Sequence, residues 1–189
     1  MLAPSIYERL YEMARDSAGD LIVEIGTAKG AATVALALGL RDAGKRGRVM
    51  SFDRGRERSG RGDPHAYQEQ VERNLRHFGV EDYVELVVGE VNKTAGAVPQ
   101  SAEISMLMLD ADGAIDRDLG HFFNRVVPDG SIIIDDCADR VRVRRVGFSI
   151  TKIDSKMRLT HLLLSYFKSN RFLSEGTQIK DTYFGRKLR

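Results

Sequence analysis

The segment that most constrains the fold is residues 21–40, LIVEIGTAKGAATVALALGL. A short apolar run rich in β-branched residues passes through a turn with Gly26 and Gly30 and continues as an alanine- and leucine-rich stretch. This order predicts a strand, a tight turn and a helix. Gly26 permits dihedral angles that other residues resist, and Gly30 permits close approach at the helix start. The free N–H groups there predict a nucleotide-type pocket, the alternative being a turn that only packs helix on strand.

Length and composition limit the class of protein. A chain of 189 residues is long enough to bury an α/β core and fits a single domain, residues 1–189. No apolar stretch approaches a membrane span, and the N-terminal residues lack the basic start and long apolar region of a secretory signal. A single cysteine, Cys137, excludes an internal disulfide and fits a reducing compartment. We therefore expect a cytoplasmic protein with no membrane segment.

An acidic residue follows the second predicted strand. The segment VMSF, residues 49–52, is typical of a strand, and Asp53 comes directly after it. A carboxylate about 20 residues past the glycines is where doubly wound folds bind ribose hydroxyls. A helix-capping or surface aspartate is the alternative, and the register with the glycine turn favours the ribose role.

Two later strands end in paired aspartates. The segments ISMLMLDADG and SIIIDD are each apolar up to the first carboxylate, which is typical of strands covered on both faces. Because the ends of parallel strands meet at one edge of a sheet, we expect these carboxylates to lie close together. Like charges repel, so a site that gathers them usually contains a cation. The four residues are Asp110, Asp112, Asp135 and Asp136.

Apolar spacing predicts the remaining elements. We expect a helix before the first strand, a strand at residues 83–88, and helices starting at Pro64, running from Ile115 to Val126, and covering residues 156–169. Two short strands are predicted at Thr177–Ile179 and Thr182–Arg186. We interpret residues 54–62 as a mobile loop near the crevice and residues 138–155 as an insert over the active site.

The order of four motifs resembles a known family. The segments VEIGTAKGAAT, GRVMSFD, LMLDADG and VVPDGSIIIDDC are similar to the class I S-adenosylmethionine-dependent methyltransferases, in the small-molecule O-methyltransferase branch of catechol-type and macrolide-sugar enzymes. The resemblance implies a single doubly wound, Rossmann-like α/β domain. Its mostly parallel seven-stranded sheet would have a C-terminal antiparallel strand and helices on both faces.

The same resemblance assigns S-adenosylmethionine as cofactor. By it, the glycines lie along the amino-acid part of the cofactor, Glu24 holds the loop or the cofactor ammonium, and the residues after the third strand face the adenine. The implied cofactor-binding residues are Glu24, Gly26, Thr27, Gly30, Asp53, Glu90, Val91 and Asp110.

The resemblance also implies a magnesium site at Asp110, Asp135 and Asp136, the alternative being aspartates that cap helices and bind no metal. One position departs from the family. Catechol-type enzymes have a lysine three residues after the first metal aspartate, where this chain has Gly113. Either the metal alone activates the nucleophile, or Asp112 or His121 acts as base; a carboxylate is chemically adequate, so Asp110 and Asp112 are the catalytic candidates.

These observations predict transfer of a methyl group to a hydroxyl of a small molecule with help from a divalent metal. Arginine clusters make an anionic acceptor one option, but they lack the interleaved aromatic residues of nucleic-acid binding, which disfavours such a partner. A non-catalytic S-adenosylmethionine-binding protein and a nicotinamide-dependent Rossmann oxidoreductase are the alternatives. The oligomeric state stays open, with a homodimer as one option.

Overall fold

A seven-stranded sheet organises the part of the chain that this computed structural model describes, which is residues 2–55, 62–111, 113–146 and 149–189. The strands are β1 (Leu21–Ile25), β2 (Arg48–Asp53), β3 (Val84–Val88), β4 (Ile104–Leu109), β5 (Val126–Ile134), β6 (Arg142–Val146), β7 (Ser149–Asp154), β8 (Thr177–Ile179) and β9 (Thr182–Arg186). The sheet order is β3-β2-β1-β4-β5-β9-β8, and β6 and β7 form a separate antiparallel hairpin.

Only β9 runs against the other strands of this sheet. The strands β1 to β5 pair in parallel, β9 pairs antiparallel with β5, and β8 pairs antiparallel with β9. This is the predicted doubly wound α/β fold with a C-terminal antiparallel strand. The two short C-terminal strands also have their predicted bounds.

Helices cover both faces of the sheet. They are α1 (Pro4–Asp16), α2 (Ala31–Asp42), α3 (Pro64–His77), α4 (Val91–Thr94), α5 (Ile115–Phe122) and α6 (Lys156–Ser169). Alternate strand residues enter two core layers: Ile22 and Met106 pack with α1, α2 and α3, whereas Val23 and Leu107 pack with α4, α5 and α6. No helix in the described ranges is both long and apolar enough to cross a membrane.

The predicted helix from Ile115 to Val126 is wrong at its C-terminal end. The α-helix stops at Phe122, a single 3₁₀ turn follows, and Val126 is the first residue of β5. The register of β5 against β4 shifts between its first pair, at Val126, and its next, at Ser131, so the pairing is irregular between them. Pro128, Asp129 and Gly130, residue types that often follow the end of a helix, belong to this irregular segment of β5, in which Asp129 has φ +59°.

A glycine allows α1 and α2 to pack closely. A Cβ on Gly39 would lie 2.4 Å from the carbonyl oxygen of Tyr11 and 2.9 Å from the Cβ of Ala14. The two helices bury Leu10 and Leu36 in the same core layer. Their spacing therefore depends on the absence of a side chain at residue 39.

Gly39→Ala should destabilise the protein by about 1–3 kcal/mol, because the added methyl forces α1 away from α2. Gly120→Ala is the matched control: Gly120 is also helical, and a Cβ there meets nothing within 4 Å. That control should stabilise the protein by about 0.5–1 kcal/mol through helix propensity. Urea unfolding monitored by circular dichroism measures both, and equal effects of the two substitutions would contradict the packing argument.

Candidate functional site

A cavity of about 420 Å³ opens where the strand order reverses, at the carboxyl ends of β1 and β4. Open α/β sheets bind ligands at this switch point, and the volume lies in the range of small-molecule sites. The described lining residues come from the ends of β1, β2 and β4 with the turns that follow them, and from α3, α4 and α5. They are Ile25, Gly26, Ala28, Lys29, Phe52, Asp53, Arg54, Tyr67, Glu90, Val91, Asp110, Ala111 and Arg117.

Gly26 joins three strands at the edge of this cavity. Its N–H donates to the carbonyl of Phe52 at 2.8 Å, and a Cβ on it would lie 2.1 Å from the carbonyl oxygen of Asp110. Its φ of +107° is the conformation expected of a glycine that leaves a strand. Gly30, with φ +84°, is the N-cap of α2, but it does not belong to the described cavity lining.

Asp53 fastens two loops at the mouth of the cavity. One carboxylate oxygen accepts from the Ala28 N–H at 3.0 Å, and the other accepts from the Gly55 N–H at 2.9 Å. Each carboxylate oxygen has a second lone pair, so these bonds leave acceptor capacity for a ligand hydroxyl. Asp53 therefore has a structural role in addition to the predicted binding role.

Glu24 lies behind the glycine turn, outside the cavity lining. One of its oxygens accepts from Thr33 at 2.6 Å and from Ser51 at 2.5 Å, while the other has no hydrogen-bond partner among the described residues. Full burial raises the pKa of Glu24 to about 7, against the lowering effect of the two hydroxyls. Thr27 is also buried and bonds to Ser51 at 2.6 Å. These predicted cofactor residues support the turn from within the core.

The start of α4, which follows β3, and α3 complete the wall. Glu90 and Val91, at the start of α4, both line the cavity, and their predicted place beside the adenine stays a prediction. Tyr67 of α3 lines it too, which sequence reasoning missed because the spacing of Tyr67 and Val71 indicated only a buried helical face. Burial, together with the charge of Asp53, raises the pKa of Tyr67.

The predicted carboxylates meet at the ends of β4 and β5. Asp110, Asp135 and Asp136 each offer an oxygen within 4.8 Å of the others. Burial and then the charge of Asp135 raise the pKa of Asp110 to about 8. Of the three, only Asp110 lines the cavity in the described part of the chain.

Three side chains from the C-terminal part of the chain contact this triad. Lys156 donates to one oxygen of Asp136 at 2.8 Å, and Arg142 of the β6–β7 hairpin donates to the other at 2.9 Å. Thr182 of β9 donates to Asp135. The predicted insert therefore reaches the acidic cluster through Arg142, whereas its central residues, 147 and 148, lie outside the described residues.

The chemistry of the triad fits a divalent cation. Three hard oxygen donors lie close together, as Mg²⁺ and Ca²⁺ require. Burial is the main cause of the raised pKa of Asp110, and the neighbouring carboxylates of Asp135 and Asp136 add to it, whereas the charge of Lys156 opposes it. A bound cation would therefore favour the ionised form of Asp110.

The two other base candidates are not assigned to the cavity. Asp112 lies outside the described residues, as do residues 56–61 of the predicted mobile loop. His121 contacts the side-chain oxygen of Asn92 at 2.9 Å and is not among the described lining residues. Gly113 has φ +90° and carries no side chain that could act as base.

Comparisons with known proteins agree with this geometry. The profile of the methyltransferase domain family matches residues 23–137. No curated protein matches the chain significantly.

Solved structures have the same fold at low sequence identity. The chain is similar to cofactor-bound Rv0187 from MTB, with a TM-score of 0.74 and 19% identity over 100% of this chain and 82% of that chain. It is similar to the O-methyltransferase TomG from Streptomyces achromogenes, solved with SAM, with a TM-score of 0.71 and 19% identity over 100% and 81% of the two chains. An O-methyltransferase from Bacillus cereus, solved with SAH, gives a TM-score of 0.74 and 16% identity over 100% and 83%.

Stability should depend on pH through Glu24. Its pKa is about 7 in the folded state and near 4.5 when unfolded, so the unfolded state loses its proton first and stability falls as pH rises between these values. Glu24→Gln stays neutral and should become more stable than wild type by about 1–3 kcal/mol at pH 8. Urea unfolding at several pH values measures this difference. The exposed Glu81→Gln is the control, and parallel curves for wild type and Glu24→Gln would refute the assignment.

Proposed function

We propose that this chain, which belongs to the methyltransferase family, transfers a methyl group from S-adenosylmethionine to a hydroxyl of a small molecule. We take residues 1–189 as one catalytic domain. The observation that carries the proposal is a single crevice at the switch point of the sheet, which has the glycine turn and Asp53 on one side and Asp110 on the other. The cavity volume of about 420 Å³ supports binding of a small molecule such as the cofactor.

We assign the cofactor to the side of the crevice formed by β1, β2 and β3. The backbone of the turn at Gly26 would contact the amino-acid part, the remaining lone pairs of Asp53 would accept from the ribose hydroxyls, and Glu90 and Val91 would lie beside the adenine.

Thr27 and Gly30 would shape the turn without direct contact with the cofactor. For Glu24 we favour the loop-holding role, because its carboxylate is bonded to Thr33 and Ser51 behind the turn.

The acceptor would lie at the Asp110 side. Methyl transfer breaks the sulfur–methyl bond and forms an oxygen–methyl bond in line, so the protein must place the hydroxyl oxygen behind the methyl carbon and accept its proton. Asp110 is the carboxylate of the triad that lines the cavity, and we assign it to orienting the acceptor hydroxyl and accepting its proton. The sequence-based candidate Asp112 stays a second proposal for the base.

A divalent cation, most simply Mg²⁺, is part of the proposal. Asp110, Asp135 and Asp136 would hold it, and when bound it would lower the pKa of an acceptor hydroxyl.

The positive residues of the cavity favour an acceptor or cofactor group with negative charge. They are Lys29, Arg54 and Arg117. A cytoplasmic location is in keeping with the single cysteine.

One alternative is a protein that binds the cofactor but does not catalyse transfer. Gly113 favours it, since no base occupies the position that holds one in catechol-type enzymes. Incubation with methyl-labelled S-adenosylmethionine and a panel of phenols, catechols and sugar alcohols separates the two. Labelled product supports the enzyme, whereas cofactor binding with no transfer to any acceptor supports the alternative.

Asp53→Asn should weaken S-adenosylhomocysteine binding by about tenfold or more, because it removes a charged acceptor for the ribose hydroxyls. Calorimetric titration measures the dissociation constants. Asp63→Asn is the control, since Asp63 caps α3 by accepting from the His65 N–H, and asparagine also caps helices. If wild-type protein binds NADH but not S-adenosylhomocysteine, the proposed function fails and the oxidoreductase alternative returns.

Asp135→Asn should weaken binding of Mn²⁺, a paramagnetic substitute for Mg²⁺, by about tenfold or more, because it removes one of three anionic ligands. Electron paramagnetic resonance of free Mn²⁺ measures the affinity. Asp129→Asn removes a charge from β5, the strand that precedes Asp135, away from the triad, and should leave the affinity unchanged. Equal affinities for all three proteins would exclude the triad as the metal site.

A further inference from the structure

Lys156 fills the space above Gly113. A Cβ on Gly113 would lie 2.3 Å from the Cγ of Lys156 and 3.1 Å from both its Cδ and Cε. The aliphatic stem of Lys156 therefore occupies the volume that a side chain at residue 113 would need. The φ of +90° at Gly113 also disfavours any side chain there.

The ammonium group of Lys156 lies within the acidic cluster. It donates to the carbonyl oxygen of Ala111 at 2.5 Å and to Asp136 at 2.8 Å, and the side chain is only 9% exposed. Its charge also acts to lower the pKa of Asp110. A buried ammonium loses its hydration and persists only where such partners replace it. Lys156 is thus tied to two of the three carboxylates, by contact or by charge.

The start of α6 holds Lys156 in this position. Lys156 is the first residue of the helix, and its N–H donates to the side chain of Asp154 at 3.1 Å. Met157 is buried, and Leu164, two turns further on, packs in the same core layer as β4 and β5. The backbone that carries Lys156 is therefore fixed relative to the triad, although α6 lies far from the triad in sequence.

We propose that Lys156 is a positioning residue of the active site, whose ammonium holds Asp136 and competes with a divalent cation for the acidic triad. Both oxygens of Asp136 already accept from cations, Lys156 and Arg142. A metal that binds all three carboxylates would share Asp136 with these two cations and would lie close to the positive charge of Lys156, which opposes its binding. Lys156 consequently sets how tightly the site binds metal, and its stem supplies the side-chain volume that Gly113 lacks.

This inference rests on the proposed function, because it takes the triad as part of the active site. Its physical core is electrostatic. Removing one positive charge from a cluster of three carboxylates leaves more negative potential for a divalent ion, and it removes one hydrogen bond to Asp136. A lysine that only supported the fold would show the opposite result, since its loss would loosen the ligands and weaken metal binding.

The test is Mn²⁺ binding to the full chain, measured by electron paramagnetic resonance for wild type, Lys156→Met, Lys156→Arg and Lys168→Met. Lys156→Met, which keeps the stem and removes the charge, should bind Mn²⁺ about tenfold more tightly or better. Lys156→Arg should stay within about threefold of wild type because it restores a cation. Lys168 lies at the other end of α6 and pairs with Glu175, so Lys168→Met should leave the affinity unchanged.

Unchanged or weaker Mn²⁺ binding by Lys156→Met overturns the inference, and so does the absence of Mn²⁺ binding in all four proteins. Lys156→Gln provides a second neutral variant if the methionine variant does not fold. Calorimetric titration with S-adenosylhomocysteine is run on the same samples. If Lys156→Met binds the cofactor but gains no Mn²⁺ affinity, only the role of Lys156 is refuted. If the wild-type protein does not bind S-adenosylhomocysteine, the proposed function is refuted.

Discussion

The close approach of Gly26 to the backbone of Asp110 is the contact on which the site depends. The end of β1 lies against the end of β4 because the Asp110 N–H donates to Ile25 at 2.8 Å and no Cβ separates the two chains. The Gly26 N–H binds the carbonyl of Phe52, so β2 is aligned at the same edge. One glycine therefore brings together the turn, Asp53 at the end of β2, and the first carboxylate of the triad. A side chain at residue 26 would push the ends of β1 and β4 apart, because its Cβ would lie 2.1 Å from the carbonyl oxygen of Asp110.

The second constraint is charge. A parallel sheet brings the ends of β4 and β5 together, and with them three carboxylates within 4.8 Å. Lys156, Arg142 and Thr182 each donate to this cluster from elements that follow β5 in the chain. Even so, the pKa of Asp110 remains near 8. The C-terminal elements thus supply two positive charges and one hydroxyl donor to the site. Burial and the neighbouring carboxylates still disfavour the ionised form of Asp110, which an added cation would favour.

Local patterns were sufficient to predict the framework. The strand, turn and helix around Gly26, the acidic strand ends and the two C-terminal strands follow from residue type and spacing over short windows, and the family match confirms the resemblance. The predicted end of the helix that begins at Ile115 is wrong because β5 begins at Val126 and contains Pro-Asp-Gly, residue types that also follow helices, in an irregular segment. Tyr67 was missed because apolar spacing on α3 does not tell which buried residue faces a cavity.

Lys156 could not be predicted from any motif. It reaches Asp136 across 20 positions of sequence, and the intervening hairpin has no regular pattern that sets the distance. The relevant feature of the sequence is Gly113, a glycine at the position where the catechol-type enzymes that the chain resembles have a lysine. In a packed interior other atoms fill the volume of a missing side chain, because the atoms that line a void lose van der Waals contacts. When a glycine replaces a larger residue at a motif position, another element must therefore contribute the atoms that fill the volume. Here the first residue of α6 contributes both the volume and a positive charge.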